Sequence, residues 1–208
     1  MGETLVKTCG ITQPDDAVFC HDLGVDLLGL VFAPGPRRVT IAQARSIRAA
    51  VPGARLVGVC VDEPLDALVE LARECGLDVL QLHGHEDLAY CHAAARGAGL
   101  PVIKAVRPGN GASGELEAYR GLHGLLFDLD KGVSREREAL EELWSCAAEA
   151  RERGHRVFLA GALDPANVAG AVRRVRPHCV DVARGVERAP GVKDRDLVVR
   201  FLEEVRRA

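Results

Sequence analysis

The chain has 208 residues, 48% of them hydrophobic and 27% charged, with a formal net charge of −3. That length suits one domain with a core large enough to be stable, expected here over residues 1–208. No basic block marks a nucleic-acid partner, no apolar run approaches the roughly 18 residues of a membrane span, and the N-terminus lacks the regions of a secretory signal; a cytoplasmic protein is expected.

Short aliphatic runs alternate with longer amphipathic segments from end to end. Strands are predicted at 5–9, 27–32, 56–61, 79–83, 102–106, 125–128, 157–160 and 179–182. Several are nearly unbroken in Val, Leu, Ile and Phe, as parallel strands covered on both faces require. Among the connections, Thr40 precedes a helix over 41–51 and Glu63-Pro64 opens one over 65–75. The 108–119 connection is Gly-rich and has room for a short helix only. The longest and most charged helix is expected over 135–153, Asp164-Pro165 opens one over 166–175, and Asp194 precedes the last over 195–206. Eight βα units without a linker or inserted domain predict an α/β fold, a single-domain (β/α)8 TIM barrel, with a doubly wound open sheet as the alternative.

In such a barrel, functional groups gather where strands end and βα loops begin. The candidates by that rule are Cys9, Arg37, Asp62, Gln81, His83, Arg107, Asp128, Asp130, Gly161, Asp181 and Arg184. Cys9 and Asp128 end two apolar runs and pair a potential base with a potential acid. A thiol works as a base only when positive charge draws its pKa towards neutrality, and Lys7, two residues earlier, shares its face of the strand. Read alone, Cys9 is also compatible with a packed strand-end thiol, and Asp128 with a loop cap; Asp130 competes with Asp128 for the acid's place. Gln81 and His83 share one face, as a ligand site or a buried network would use them. His83-Gly84-His85 offers too few neighbouring ligands for a metal, so no metal is expected. Pro34-Gly35-Pro36 stiffens a loop presenting Arg37, which can grip a carboxylate or phosphate through two parallel hydrogen bonds, and Arg38, read as a solvated surface cation. The seven cysteines form no C-x-x-C pair, and those other than Cys9 are expected to be small buried groups in a reducing compartment.

These residues, in this order, resemble the phosphoribosylanthranilate isomerase family. The resemblance rests on Val6-Lys7-Thr8-Cys9-Gly10-Ile11-Thr12, Gly29-Leu30-Val31-Phe32 with Pro36-Arg37-Arg38-Val39, Leu56-Val57-Gly58-Val59-Cys60-Val61, and Leu80-Gln81-Leu82-His83-Gly84. It continues through Val102-Ile103-Lys104-Ala105-Val106, Leu159-Ala160-Gly161-Ala162-Leu163-Asp164-Pro165, Val180-Asp181-Val182, Gly185-Val186-Glu187 and Pro190-Gly191-Val192-Lys193-Asp194. It implies a (β/α)8 barrel, monomer or homodimer, that performs an Amadori rearrangement in tryptophan biosynthesis without metal or organic cofactor. It makes Cys9 the base that takes the sugar C2′ proton and Asp128 the acid that protonates the ring oxygen. It also puts Arg37 on the anthranilate carboxylate, and has Lys7, Gln81, His83 and Asp181 line the substrate site.

The departures from the family gather in three loops. Where the family follows its strand-six Asp with a Gly-Gly-Thr-Gly type loop and an Asp-Trp pair, this chain reads Leu129-Asp130-Lys131-Gly132-Val133-Ser134-Arg135. The paired glycines after strand seven become Gly161-Ala162, and the two serines after strand eight become Ala183-Arg184. Exposed N–H groups of these loops would cradle the substrate phosphate, so the methyl of Ala162 and the cation of Arg184 are expected to reshape that seat. Either Arg184, with Lys131, grips phosphate by side chain and the isomerase is intact, or the barrel handles another ligand, such as an unphosphorylated or carboxylated sugar–amine adduct. A non-catalytic ligand-binding or partner protein is the third reading.

Overall fold

A computed structural model describes residues 3–106, 116, 118–129 and 137–208. Its eight parallel strands are β1 (Leu5–Cys9), β2 (Leu27–Val31), β3 (Arg55–Cys60), β4 (Val79–Leu82), β5 (Val102–Val106), β6 (Gly124–Phe127), β7 (Val157–Leu159) and β8 (Cys179–Val182). Each pairs with the next, and β8 returns to β1 with Leu5 opposite Cys179 and Lys7 opposite Asp181. Closure of the ring excludes the open doubly wound sheet.

Seven helices surround the described part of the barrel: α1 (Pro14–Asp22), α2 (Ile41–Ala50), α3 (Leu65–Cys75), α4 (Leu88–Ala98), α5 (Arg137–Glu152), α6 (Val168–Val175) and α7 (Arg195–Arg206). Thr40 and Gln43 form a reciprocal capping box at the start of α2, which satisfies otherwise orphaned N–H groups there. Helix α6 starts later than expected. The Asp164 carboxylate accepts the N–H groups of Ala166 and Asn167, at 2.7 and 3.1 Å, and this holds the chain in a turn before the helix begins. Helices α1 and α4 carry weaker start signals. Gln13 makes no side-chain cap to α1, and Asp87 caps α4 through the Tyr90 N–H at 2.7 Å. The short helix expected in 108–119 falls almost wholly outside the described residues, as do the first residues of the 135–153 segment.

Between β8 and α7 the chain makes a 3-10 turn (Arg184–Val186) and then an antiparallel hairpin, β9 (Glu187–Ala189) and β10 (Val192–Lys193). The sequence pattern did not announce this hairpin as an element.

Alternation along the strands builds two cores. Outward residues such as Val6, Leu28, Leu30, Leu56, Leu80 and Leu82 pack under the helices. Leu27, Val57, Val79, Ile103, Leu126, Phe158 and Cys179 fill the lower barrel interior. Gly124 makes room for Phe158, because a Cβ there would lie 2.4 Å from the ring. Two residues further along the strands the interior turns polar, with Lys7, Gln81 and Asp181 all buried. The change from apolar floor to polar upper layer places the site at the C-terminal ends of the strands.

Candidate active site

Lys7 and Cys9 project from β1 to the same side, and both lie against Gly29 of β2. A Cβ at Gly29 would sit 2.8 Å from the Cys9 Sγ and 3.1 Å from the Lys7 Nζ, so only glycine leaves room for the pair. The Lys7 ammonium donates to Asp181 Oδ2 at 2.6 Å. Its side chain is wholly removed from water and that of Asp181 nearly so. Burial by itself would lower the Lys7 pKa, but the Asp181 carboxylate and the Cys9 sulfur outweigh it and raise it, so Lys7 is charged at neutral pH.

Cys9 is partly buried. Burial pushes its thiol above the ordinary value; Lys7 and Lys193 pull it down, and Asp181 pushes it up. The next residue, Gly10, has φ +75°, and a Cβ there would lie 2.5 Å from the Arg37 Cδ. Glycine therefore serves twice, by adopting a left-handed conformation and by letting Arg37 lie across the turn.

Arg37 does not wave freely. Its Nε donates to Glu187 Oε1 and Oε2 at 2.9 and 3.1 Å, and its Nη2 to Oε2 at 2.5 Å. The Glu187 side chain is 2% exposed and that of Arg37 22%. The pair leaves Nη1 without a hydrogen bond among the described residues, a free edge of the guanidinium. Arg38 is exposed, as expected.

Asp128 follows β6 directly, and one of its oxygens accepts the Leu129 N–H at 2.8 Å. The other lies 3.6 Å from His83 Nε2, and the far ring nitrogen of His83 is 3.3 Å from Gln81 Nε2. Gln81, His83 and Asp128 thus form one array across β4 and β6. Gln81 Oε1 and Asp181 Oδ1 are buried and have no hydrogen-bond partner among the described residues. Two such acceptors in one polar layer call for ligand N–H or O–H donors.

Asp62 does not join this array. It sits at φ +51° after β3, where its carboxylate accepts the His85 N–H at 2.6 Å and lies 3.0 Å from the His85 ring. His83 and His85 consequently point to different partners. Asp130, Lys131 and Arg107 lie outside the described residues.

On the opposite side of the mouth, Gly161 and Ala162 follow β7 with φ +81° and +55°. Ala162 thus takes up a left-handed conformation that ordinarily favours glycine, at a cost of about 1–2 kcal/mol. Its carbonyl accepts from Asn167 Nδ2 at 2.9 Å, which helps hold that conformation. Ala183 and Arg184 follow β8, and Arg184 is exposed with no ion pair among the described residues. Gly185 packs so closely on the β7 loop that a Cβ would fall 2.0 Å from the Leu163 carbonyl oxygen, so the two loops are held edge to edge.

Glu187 and Lys193 were not among the sequence candidates. The signal that would have found them is Pro190-Gly191, a turn dipeptide between two charged residues.

A sequence model of the N-(5'phosphoribosyl)anthranilate (PRA) isomerase family matches residues 6–204. The chain is 42% identical over 205 residues to the N-(5'-phosphoribosyl)anthranilate isomerase of Moorella thermoacetica, covering 98% of this chain and 90% of that one. The crystal structure of phosphoribosyl anthranilate isomerase from Thermotoga maritima superposes with a TM-score of 0.86 at 33% identity, over 99% of this chain and 100% of that chain. A phosphoribosyl anthranilate isomerase in complex with reduced 1-(o-carboxyphenylamino)-1-deoxyribulose 5-phosphate gives a TM-score of 0.84 at 33% identity, with the same coverage. With a closed barrel, a polar layer at the strand ends and whole-length likeness in agreement, this chain belongs to the N-(5'-phosphoribosyl)anthranilate isomerase family.

Proposed function

We infer that the chain catalyses the Amadori rearrangement of N-(5'-phosphoribosyl)anthranilate to 1-(o-carboxyphenylamino)-1-deoxyribulose 5-phosphate, as an intramolecular oxidoreductase of tryptophan biosynthesis. The observation that carries the reading is the placement of Cys9 on β1 and Asp128 after β6. They stand on separated sides of an eight-stranded ring, both in the inward register. A sugar held between them would meet a base and an acid on different faces.

Asp128 donates its proton to the furanose ring oxygen. The C1′–O bond breaks, and the lone pair of the anthranilate nitrogen forms a C1′=N bond. The Cys9 thiolate then takes the C2′ proton, and the electrons of that C–H bond reduce the C1′=N unit to an enamine. The C2′ enol becomes a ketone as C1′ gains a proton, so C2′ is oxidised and C1′ reduced within one molecule. Lys7 supplies the permanent positive charge nearest the thiol, and thiolate formation needs such charge. The unpartnered Asp181 Oδ1 and Gln81 Oε1 accept from the substrate amine and sugar hydroxyls. The free edge of Arg37 takes the anthranilate carboxylate, and the backbone around Gly161, Ala162 and Ala183 receives the phosphate with the Arg184 side chain beside it.

Whole-length identity of 42% favours this reading over a repurposed barrel with an unphosphorylated ligand. No described helix is long and apolar enough to cross a membrane, and all seven cysteines are unpaired, which supports a place in the reducing cytoplasm. A fluorescence assay with freshly generated phosphoribosyl anthranilate tests the function. Turnover by the protein, abolished in Cys9→Ala and Asp128→Asn, is expected; a folded protein without turnover refutes it.

A further inference from the structure

The Pro190-Gly191-Val192-Lys193 block has no part in the chemistry above, yet its hairpin lies directly on the end of β1. Lys193 is wholly buried, and its Nζ donates to the Cys9 carbonyl oxygen at 2.6 Å and to Glu187 Oε1 at 2.9 Å. Its own N–H donates to Asp16 Oδ2 at 2.9 Å, which anchors the hairpin to α1. Thr12 Oγ1 donates to the Gly191 carbonyl at 2.5 Å, and a Cβ at Gly191 would lie 2.8 Å from the Thr12 methyl. The hairpin turn is therefore seated on residues 9–12. Glu187 in turn holds two nitrogens of Arg37.

We propose that Glu187 and Lys193 are positioning residues for the reaction: Lys193 fixes the main chain of Cys9 and sets a buried positive charge beside the base, and Glu187 aims the Arg37 fork at the substrate carboxylate. The proposal rests on the assignment of Cys9 as base and Arg37 as carboxylate clamp.

Geometry gives each residue a separate job. Lys193 touches Cys9 through the carbonyl, one residue's length from the reacting sulfur, so it can both orient and charge the site without reaching substrate. Glu187 is almost wholly desolvated, and a carboxylate in that state persists because Arg37 and Lys193 satisfy it. The same bonds fix the guanidinium plane through Nε and Nη2 and leave Nη1 without a hydrogen bond among the described residues, which spares the substrate the entropy of ordering a long side chain. The charges that face Cys9 are Lys7 from its own strand, Asp181 from β8, Lys193 from the hairpin and Arg37 from the β2 loop. Of these, Lys7 and Lys193 lower the Cys9 pKa, and Asp181 raises it.

The test compares Lys193→Met, Lys193→Arg and Glu187→Gln in the full chain. Iodoacetamide labelling of Cys9 against pH, resolved by peptide mass, is read beside kcat and KM. In Lys193→Met the labelling midpoint should rise by about one pH unit, equivalent to a tenfold loss of thiolate near neutrality, with kcat falling in step and KM within about twofold. Lys193→Arg should return the midpoint towards the parent's. Glu187→Gln should raise KM about tenfold through a loosened Arg37 and leave the labelling midpoint in place. A folded Lys193→Met with unchanged midpoint and kcat overturns the proposal, as do variants that lose only thermal stability. If Lys193→Met does not fold, Lys193→Gln replaces it under the same criteria. Turnover surviving in Cys9→Ala unseats the base assignment itself, whereas an inactive Cys9→Ala beside an unaffected Lys193→Met unseats only the role of the hairpin.

Discussion

Replacing Lys7 by methionine keeps the length of the side chain and deletes the charge that neutralises Asp181. At 2.6 Å the pair attracts with about 6 kcal/mol at an effective dielectric constant of 20. Desolvation of the ammonium offsets part of this, so removing one partner should cost about 3–5 kcal/mol. In the parent the raised pKa of Lys7 leaves the contribution of the pair intact below the ordinary lysine value of 10.5, so parent stability should not fall for this reason near neutrality. Urea unfolding by circular dichroism reads the effect. With a slope of about 3 kcal/mol per molar, the midpoint should drop by roughly 1–1.7 M at pH 7. Lys7→Met/Asp181→Leu should recover most of it, because two apolar groups leave no unpaired charge. Equal midpoints for parent and Lys7→Met at pH 7, or simple additivity in the double variant, would refute the coupling.

The loops after β7 and β8, proposed above to seat the phosphate, yield three substitutions. Ala162→Gly should retain activity and gain up to about 1 kcal/mol in thermal unfolding, since relief of the left-handed strain is partly offset by glycine's chain entropy. Gly161→Ala combines φ +81° with a Cβ 2.5 Å from Leu143, so it should lower the melting temperature and raise KM. Arg184→Ala should raise KM several-fold at nearly constant kcat, and the effect should fade at high salt; an unchanged KM would remove Arg184 from the phosphate seat. Acid should act through Glu187. Burial alone would raise its pKa, but hydrogen bonds from Arg37 and Lys193 hold it below its ordinary value of 4.5. Its contribution is therefore full above that value and lost as pH falls through the lower folded value, so KM should hold down to pH 4.5 and climb only in stronger acid as Arg37 is released; a KM that already climbs above pH 4.5 for this reason would contradict the depressed pKa.

Much of this molecule can be read along the chain because its determinants are local. Runs such as Leu27–Val31 and Leu125-Leu126-Phe127 mark buried strands through composition alone, and strict alternation sets Lys7 beside Cys9 and Gln81 beside His83 on one face. Regular βα succession then brings the strand ends together, so Cys9, Arg37, Gln81, His83, Asp128 and Asp181 could be named before any contact was seen. Composition does not state pairwise contact across the ring. That Lys7 neutralises Asp181 depends on β8 meeting β1 in a particular register, 174 residues away in sequence. That Asp62 is spent on His85 depends on two loops meeting. The roles of Glu187 and Lys193 depend on a seven-residue hairpin folding back over β1, with a lysine amine finding the carbonyl of Cys9 at a separation of 184 residues. Strand pattern and residue chemistry fix which groups are offered to the mouth of the barrel. Only ring closure, strand register and loop packing decide which of those groups neutralise one another and which are left open to a ligand.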